Sequence, residues 1–132
     1  MVLPPAGILP IDLDWDAVDK LSQSYVLGVP EIDHQHRMLF AWCIALRRWP
    51  ELQVVEGLLA YAARHFADEE NWAYIRGIDF AQHQQLHDDI IVQLEALYAG
   101  DASVDAAALA YNWLVHHIDV EDRGLVSRYR AS

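Results

Sequence analysis

The chain has 132 residues, a length that fits one domain with a single hydrophobic core. Hydrophobic residues make up 54% of it, with five Trp and six Tyr, which excludes a disordered chain. The formal net charge of −11 argues against nucleic acid and anionic membranes as partners, because both attract a basic surface. The sequence shows no apolar segment long enough to span a bilayer and no signal peptide. Together with Cys43 as the single cysteine, these features predict a cytoplasmic protein.

The distribution of prolines predicts two parts along the chain. Residues 1–30 hold four of the five prolines and are expected to form an irregular N-terminal arm packed on the remainder. Residues 31–132 are expected to form a single helical domain. The predicted helices cover about Ile32–Trp49, Leu52–Arg76, Phe80–Tyr98 and Val104–Tyr129, and Pro50, Gly77 and the segment 99–101 end the first three.

Each predicted helix has apolar residues three and four positions apart, the spacing of one buried face. Four such helices joined by short loops predict an all-α protein, an antiparallel up-down-up-down four-helix bundle. In every helix, however, polar side chains interrupt the apolar face. They are His36 in the first helix, His65 and Glu69 in the second, His83 and His87 in the third, and His117 in the fourth.

Two of these interruptions are pairs separated by four residues, His65 with Glu69 and His83 with His87. Side chains four residues apart on a helix differ in direction by about 40°, so both members of a pair face the same side. A solvent-exposed helix face or a hydrogen-bonded core histidine would produce either pair alone. Four helices that direct such groups into one interior need another explanation, because burying them without partners is costly.

A metal centre would satisfy these buried groups. The two pairs, with further ligands from the first and last helices, are more donors than one ion can take, so the pattern predicts a dinuclear site with carboxylate bridges. Imidazole and carboxylate donors suit Fe, Zn, Cu or Ni, and the spacing does not select among these metals.

These motifs resemble those of the hemerythrins, in particular the bacterial hemerythrin-like domains known as bacteriohemerythrins. The matching segments follow the family's order between Trp15 and Leu125. They are Trp15, YVLGVPEIDHQH at 25–36, HFADEE at 65–70, HQQLH at 83–87 and WLVHHIDVED at 113–122. The resemblance implies a non-haem di-iron centre, two oxo- or hydroxo-bridged Fe ions, that binds O2. The connection from Glu69 to His83 is shorter than is usual in the family, and this departure removes no ligand.

The resemblance also implies roles for individual residues. One iron would be bound by His36 and His65, and the other by His83, His87 and His117. Glu69 and Asp122 would bridge the two. The iron with two histidines would keep an open position for O2. The apolar residues expected around that position are Leu39, Phe66, Trp113, Leu114 and Ile118.

Helix geometry and the resemblance disagree on the second bridging carboxylate. On a regular α-helix Glu121 lies about 40° from His117 and Asp122 about 140° away, so geometry alone selects Glu121. The resemblance selects Asp122. We therefore predict a π-type turn between about His117 and Asp122 that brings Asp122 to the metals. An unbroken α-helix with Glu121 facing the irons would contradict this choice. His116 lies on a polar face that is expected to meet solvent.

Three functions are compatible with such a site. The leading interpretation is reversible O2 binding for storage, delivery or sensing, and not an enzyme. Five histidines and two carboxylates stabilise ferric iron less than the carboxylate-rich sites of other di-iron bundles do, which favours release of O2. The alternatives are a di-iron redox enzyme acting on peroxide or nitric oxide, and a non-catalytic bundle that holds metal. The sequence identifies no protein partner.

Overall fold

The computed structural model describes residues 9, 13–79, 81–98 and 105–131, and within these ranges it contains helices and no strand. The helices are α1 (Trp15–Gln23), α2 (Pro30–Arg48), α3 (Leu52–Ile75), α4 (Ala81–Tyr98), α5 (Ala106–His116) and α6 (Arg123–Ala131). A π-helical turn, His117–Asp122, joins α5 to α6 without a break. None of the described helices is long and apolar enough to cross a membrane. Phe80, Val104 and the segment 99–101, which the sequence analysis placed at helix ends, lie outside the described residues.

Local chemistry accounts for the ends of the bundle helices. α2 begins at Pro30, whose fixed φ and missing N–H suit a first helical turn. The Asp33 carboxylate accepts hydrogen bonds from the backbone N–H groups of Leu27 and Gly28, at 2.8 and 3.0 Å, and so holds the chain that enters the helix. At the end of α3, Gly77 has φ +68°, the left-handed conformation in which glycine commonly ends a helix. The expected end of this helix at Gly77 is therefore confirmed.

The helices pack as a four-membered bundle. α2 packs against α3 and α5, α3 packs against α4, and α4 packs against α5, so each helix contacts two neighbours. α5, the π turn and α6 together form the fourth member. The short connections after α2 and α3 require consecutive helices to run in opposite directions. The all-α four-helix bundle predicted from the sequence is confirmed.

The core between these helices is apolar at one end and polar around the candidate site. Leu39, Leu58, Ala62, Leu114 and Ile118 are among its completely buried side chains. α2 and α3 approach most closely where the ring of Trp42 lies directly over Gly57, in the space that a β-carbon at position 57 would fill.

The N-terminal arm contains a helix that the sequence analysis did not predict. α1 is capped by Asp14, whose side chain accepts a hydrogen bond from the Ala17 backbone N–H at 3.1 Å. It is attached to α2 through Arg37. The Arg37 Nε lies 2.7 Å from Asp19 Oδ1, and the guanidinium lies 4.8 Å from the centre of the Trp15 ring. Residues 13–30 thus lie against the bundle, and part of the expected irregular arm is regular.

Candidate metal centre

The structure brings together all seven side chains that the sequence analysis selected as ligands. α2 contributes one, α3 and α4 two each, and the π turn the remaining two. Their exposed fractions do not exceed 5%, so the cluster is cut off from solvent. The seven are His36, His65, Glu69, His83, His87, His117 and Asp122.

Their donor atoms form two overlapping groups, and within each group the atoms lie within 4.8 Å of one another. Glu69, His117 and Asp122 belong to both groups. His36 and His65 complete the first, and His83 and His87 complete the second. Such an arrangement is expected for two adjacent metal positions that share carboxylates.

The Asp122 carboxylate faces both groups. Its Oδ2 lies 2.7 Å from His36 Nε2 and 2.8 Å from His117 Nε2. Its other oxygen, Oδ1, lies 2.8 Å from His83 Nε2. Since the two oxygens point to histidines of different groups, this carboxylate is placed to bridge two cations.

The two oxygens of the Glu69 carboxylate also face histidines of both groups. Its Oε2 lies 3.1 Å from His65 Nε2 and 3.7 Å from His117 Nε2. Its Oε1 lies 3.5 Å from His83 Nε2 and 3.8 Å from His87 Nε2. These distances are longer than those around Asp122, and they leave room between the groups.

Several of these buried atoms have no hydrogen bond within the described part of the chain. Both carboxylate oxygens of Glu69 and the Nε2 atoms of His65 and His117 belong to this set. His117 Nε2 is close to Asp122, but its direction does not suit an N–H donor. Buried polar atoms are rarely left in this state, because each one costs free energy. A cation between them would satisfy them all, so the donor set fits a metal.

In the absence of a metal, burial and the neighbouring charges shift the pKa values of the side chains in the cluster. Burial alone would raise the pKa of Asp122, as would the charge of Glu69, but His117 holds it at about 2. Burial alone would lower the pKa of His83, but Asp122 and Glu69 raise it to about 9. The pKa of His117 is raised well above its usual value, again against the effect of burial, chiefly by the Asp122 charge. Burial lowers the pKa of His87 to about 3. The metal-free cluster therefore holds protons on His83 and His117.

The turn that carries His117 and Asp122 is π-helical over His117–Asp122, which confirms the predicted distortion. Both of these side chains are buried at its inner side. Of the residues between them, Ile118 is buried as well, whereas Val120 is 59% exposed. His116 is exposed, as its polar face predicted.

Glu121 does not face the donor cluster. Its Oε2 lies 2.8 Å from the outer nitrogen of His117, Nδ1, while Asp122 occupies the inner side. The sequence analysis identified the four-residue spacing between His117 and Glu121 but interpreted it as a possible inner ligand. The four-residue spacing between His117 and Glu121 instead indicated this contact at the outer nitrogen of His117. On α2, Gln35 occupies the corresponding place for His65, with Oε1 2.8 Å from Nδ1.

Apolar and aromatic side chains surround the histidines. The ring of Phe66 stacks on that of His87 with centres 3.9 Å apart, and Trp113 stacks on His117 at 5.0 Å. Phe66 also lies 5.6 Å from His65, between the two groups. Of the expected pocket residues, Leu39, Phe66, Leu114 and Ile118 are buried and Trp113 is half-buried.

Comparisons with known proteins show which proteins this chain is similar to. The family model described as the hemerythrin HHE cation binding domain matches residues 27–129. A hemerythrin-like protein of Naegleria gruberi is 29% identical over 120 residues, which cover 89% of this chain and 93% of the relative. A myohemerythrin of Theromyzon tessulatum is 26% identical over 116 residues, 86% of this chain and 91% of the relative. A bacteriohemerythrin of Pseudomonas paraeruginosa is 28% identical over 118 residues, covering 80% and 77%. No solved structure matches the chain at a significant level.

Proposed function

The chain belongs to the hemerythrin HHE cation-binding family, and on that premise we propose that its buried cluster holds two iron ions and binds O2 reversibly. The observation that carries the proposal is the pair of carboxylates, Glu69 and Asp122, each placed between two groups of buried imidazoles. Iron bound there would supply the electrons that O2 takes up on binding and returns on release.

The resemblance to the family supports a division of the ligands. His36 and His65 would hold one iron, and His83, His87 and His117 the other, with the two carboxylates shared. The first position would then have one histidine fewer, which would leave a site for O2. His117 belongs to both groups of donors. Its Nε2 faces Asp122 Oδ2 and Glu69 Oε2, so its assignment to the second iron rests on the resemblance.

The donor types favour a carrier over an enzyme. Five of the seven donors are imidazoles, and di-iron bundles that activate O2 for further chemistry use mainly carboxylates. Neutral donors stabilise the ferric state less, so the electrons return more easily to the metal when O2 leaves. Storage, delivery and sensing of O2 all need this reversibility.

The apolar surroundings support the same proposal. Leu39, Phe66, Trp113, Leu114 and Ile118 would form the O2 pocket, and none of these side chains offers a titratable proton. A dry pocket of this kind keeps water and protons away from bound O2 and so protects it from being released in reduced form. The one cysteine of the sequence, Cys43, is buried and unpaired, in agreement with a location in the reducing cytoplasm.

Anaerobic reduction, addition of O2 and purging with argon, each followed by a visible spectrum, test the proposal. We expect two iron ions per chain and a coloured O2 adduct that disappears on purging. His117→Gln should lose the adduct and part of the iron. His116→Gln, which changes the exposed neighbour, should behave as the unmodified protein.

Three results would contradict this function. An adduct that does not form, or that never reverses, excludes a carrier. Steady turnover of peroxide or nitric oxide with a reductant, lost in Glu69→Ala, would indicate a redox enzyme instead. Two zinc ions per chain in protein purified without added metal would indicate a non-catalytic bundle.

A further inference from the structure

The outer nitrogens of the candidate ligands have unequal partners. His117 Nδ1 lies 2.8 Å from Glu121 Oε2, and the Glu121 side chain is only 11% exposed. With a metal bound at Nε2, which is directed at the carboxylate side of the cluster, Nδ1 would carry the proton and donate a hydrogen bond to Glu121. His117 therefore has a negatively charged acceptor behind it.

The other group has no such charge in direct contact. His65 Nδ1 faces the neutral amide oxygen of Gln35 at 2.8 Å. The amide in turn donates from Nε2 to Asp68 Oδ2 at 2.5 Å, which fixes its orientation. His36 Nδ1 has no hydrogen-bond partner among the described residues. In one metal position, His117 therefore has a carboxylate behind it. In the other position, His65 has only a neutral amide behind it, and His36 has no hydrogen-bond partner at Nδ1 among the described residues.

A carboxylate behind a metal-bound imidazole orients the ring and increases the electron density that it gives to the metal. A charge-assisted hydrogen bond does so more strongly than one to a neutral acceptor. We propose that Glu121 and Gln35 are positioning residues that make the two metal positions unequal. The metal held by His83, His87 and His117 is the more easily oxidised one. This inference rests on the proposed di-iron function, but not on O2 binding itself.

Two charge exchanges test it, with a control from the same turn. Glu121→Gln keeps the size of the side chain and an acceptor oxygen but removes the charge. Gln35→Glu places a charge behind His65, and it is combined with Asp68→Asn so that the new carboxylate does not face that of Asp68. Asp119→Asn removes an equal charge from an exposed position that pairs only with Arg123 among the described ion pairs. The two one-electron reduction potentials of the iron-loaded protein are measured for each variant.

We expect the mean potential to rise in Glu121→Gln and to fall in the double variant Gln35→Glu with Asp68→Asn, and the two potentials to move closer together in both. The reason is that either exchange reduces the inequality of the two positions. Asp119→Asn should leave the separation unchanged. Equal movement of both potentials in Glu121→Gln, or the same change in Asp119→Asn, would overturn the proposal, because a general effect of charge would explain it.

A second measurement needs neither iron nor O2. Titration with Co²⁺ should show one of the two ions bound about 10- to 100-fold more weakly in Glu121→Ala, the usual effect of removing such a partner. Unchanged affinity for both ions in a folded variant would overturn the proposal. Iron-loaded protein that shows the expected potentials but no O2 adduct would refute the proposed function alone.

Discussion

In His65 and His117, the two ring nitrogens face different partners. In His65, Nε2 faces Glu69 at 3.1 Å while Nδ1 faces Gln35 at 2.8 Å. In His117, Nε2 faces Asp122 and Nδ1 faces Glu121, both at 2.8 Å. The sequence could select His117 over His116, because the two lie on different faces of one helix. It could not assign the outer partners, since these depend on the rotation of each ring in the folded protein.

Metal affinity should rise with pH because of these protonations. A histidine must lose its proton before it can bind a metal, and the pKa of His83 is about 9 in the metal-free protein. Asp122, with a pKa of about 2, and His87, with a pKa of about 3, are already deprotonated at neutral pH. We therefore expect the apparent affinity for Co²⁺ to increase from about pH 6 to about pH 9.

Titrations at several pH values, with an indicator dye for released protons, measure both quantities. Metal binding at neutral pH should release protons, and the release should decrease as the pH rises through the pKa of His83. An affinity that is constant across this range would show that His83 and His117 are neutral before the metal arrives.

Among the secondary-structure elements, the π turn determines whether the carboxylate of Glu121 or that of Asp122 faces the candidate metal centre. A π turn accommodates one residue more than an α-helix would between the same two faces. Asp122 is five residues after His117, yet both are buried on one side. The sequence contained the conflict between Glu121 and Asp122, and the resemblance resolved it. Helix periodicity alone would have given the wrong acid, since it assumes that every turn is regular.

Deletion of Val120 should convert this turn to a regular α-helix and keep the site. Asp122 would then stand four residues after His117, about 40° away, and the helix beyond it would keep its faces. We expect two ions per chain to be retained. Deletion of the exposed Asn112 is the matched control, because it lies before His117 and rotates both ligands by about 100°.

Metal analysis after gel filtration distinguishes the two deletions. The Asn112 deletion should lose metal, and circular dichroism should show whether it also loses helix. If the Val120 deletion variant loses metal to the same extent, metal binding requires the π-helical geometry itself. The interpretation of the π turn as an α-helix with one inserted residue would then be wrong.

α1 was missed because its stability comes from outside itself. A helix of nine residues is marginal in water on its own. Only Val18 of α1 is fully buried, and the contacts of Arg37 with Asp19 and Trp15 are made across to α2. The prolines of the segment favoured an irregular prediction, and the tertiary contacts that stabilise α1 have no local signal.

Gly57 should be the least tolerant glycine of the described helices. A β-carbon there would overlap the Trp42 ring, which is itself buried, so Gly57→Ala should destabilise the fold by about 1–3 kcal/mol. Gly124→Ala, in α6, meets nothing within 4 Å and should stabilise by up to about 1 kcal/mol through helix propensity. Urea unfolding of both variants measures the difference, and equal effects would contradict the close contact of α2 with α3.

At the scale of the whole molecule, the candidate metal site is formed by the assembly of the bundle helices. No helix contributes more than two of the seven donors, so each metal-binding group needs three of the four bundle members, and the two groups together need all four. Bound metal therefore links every helix of the bundle, and its binding free energy adds to the free energy of unfolding.

Removal of metal should lower the melting temperature. At a free metal concentration about 100 times the Kd, one site adds about 2.7 kcal/mol to the stability of the folded chain. Calorimetry of the metal-loaded and chelator-treated protein should show a clear decrease in Tm, which is restored by adding metal. His117→Gln should show a smaller difference, and His116→Gln the full one. A Tm that does not respond to metal would indicate a site that is not part of the fold.

The sequence by itself determined the helical architecture, the faces of the helices and the set of polar residues that interrupt them. These are periodic properties, and a helix repeats its geometry without reference to the rest of the chain. Only the tertiary structure decided how close the donor atoms lie to one another, which side chains face the outer nitrogens of His65 and His117, and where α1 lies. These depend on distances between residues far apart in the chain, such as His36 and Asp122, and such distances are set by packing.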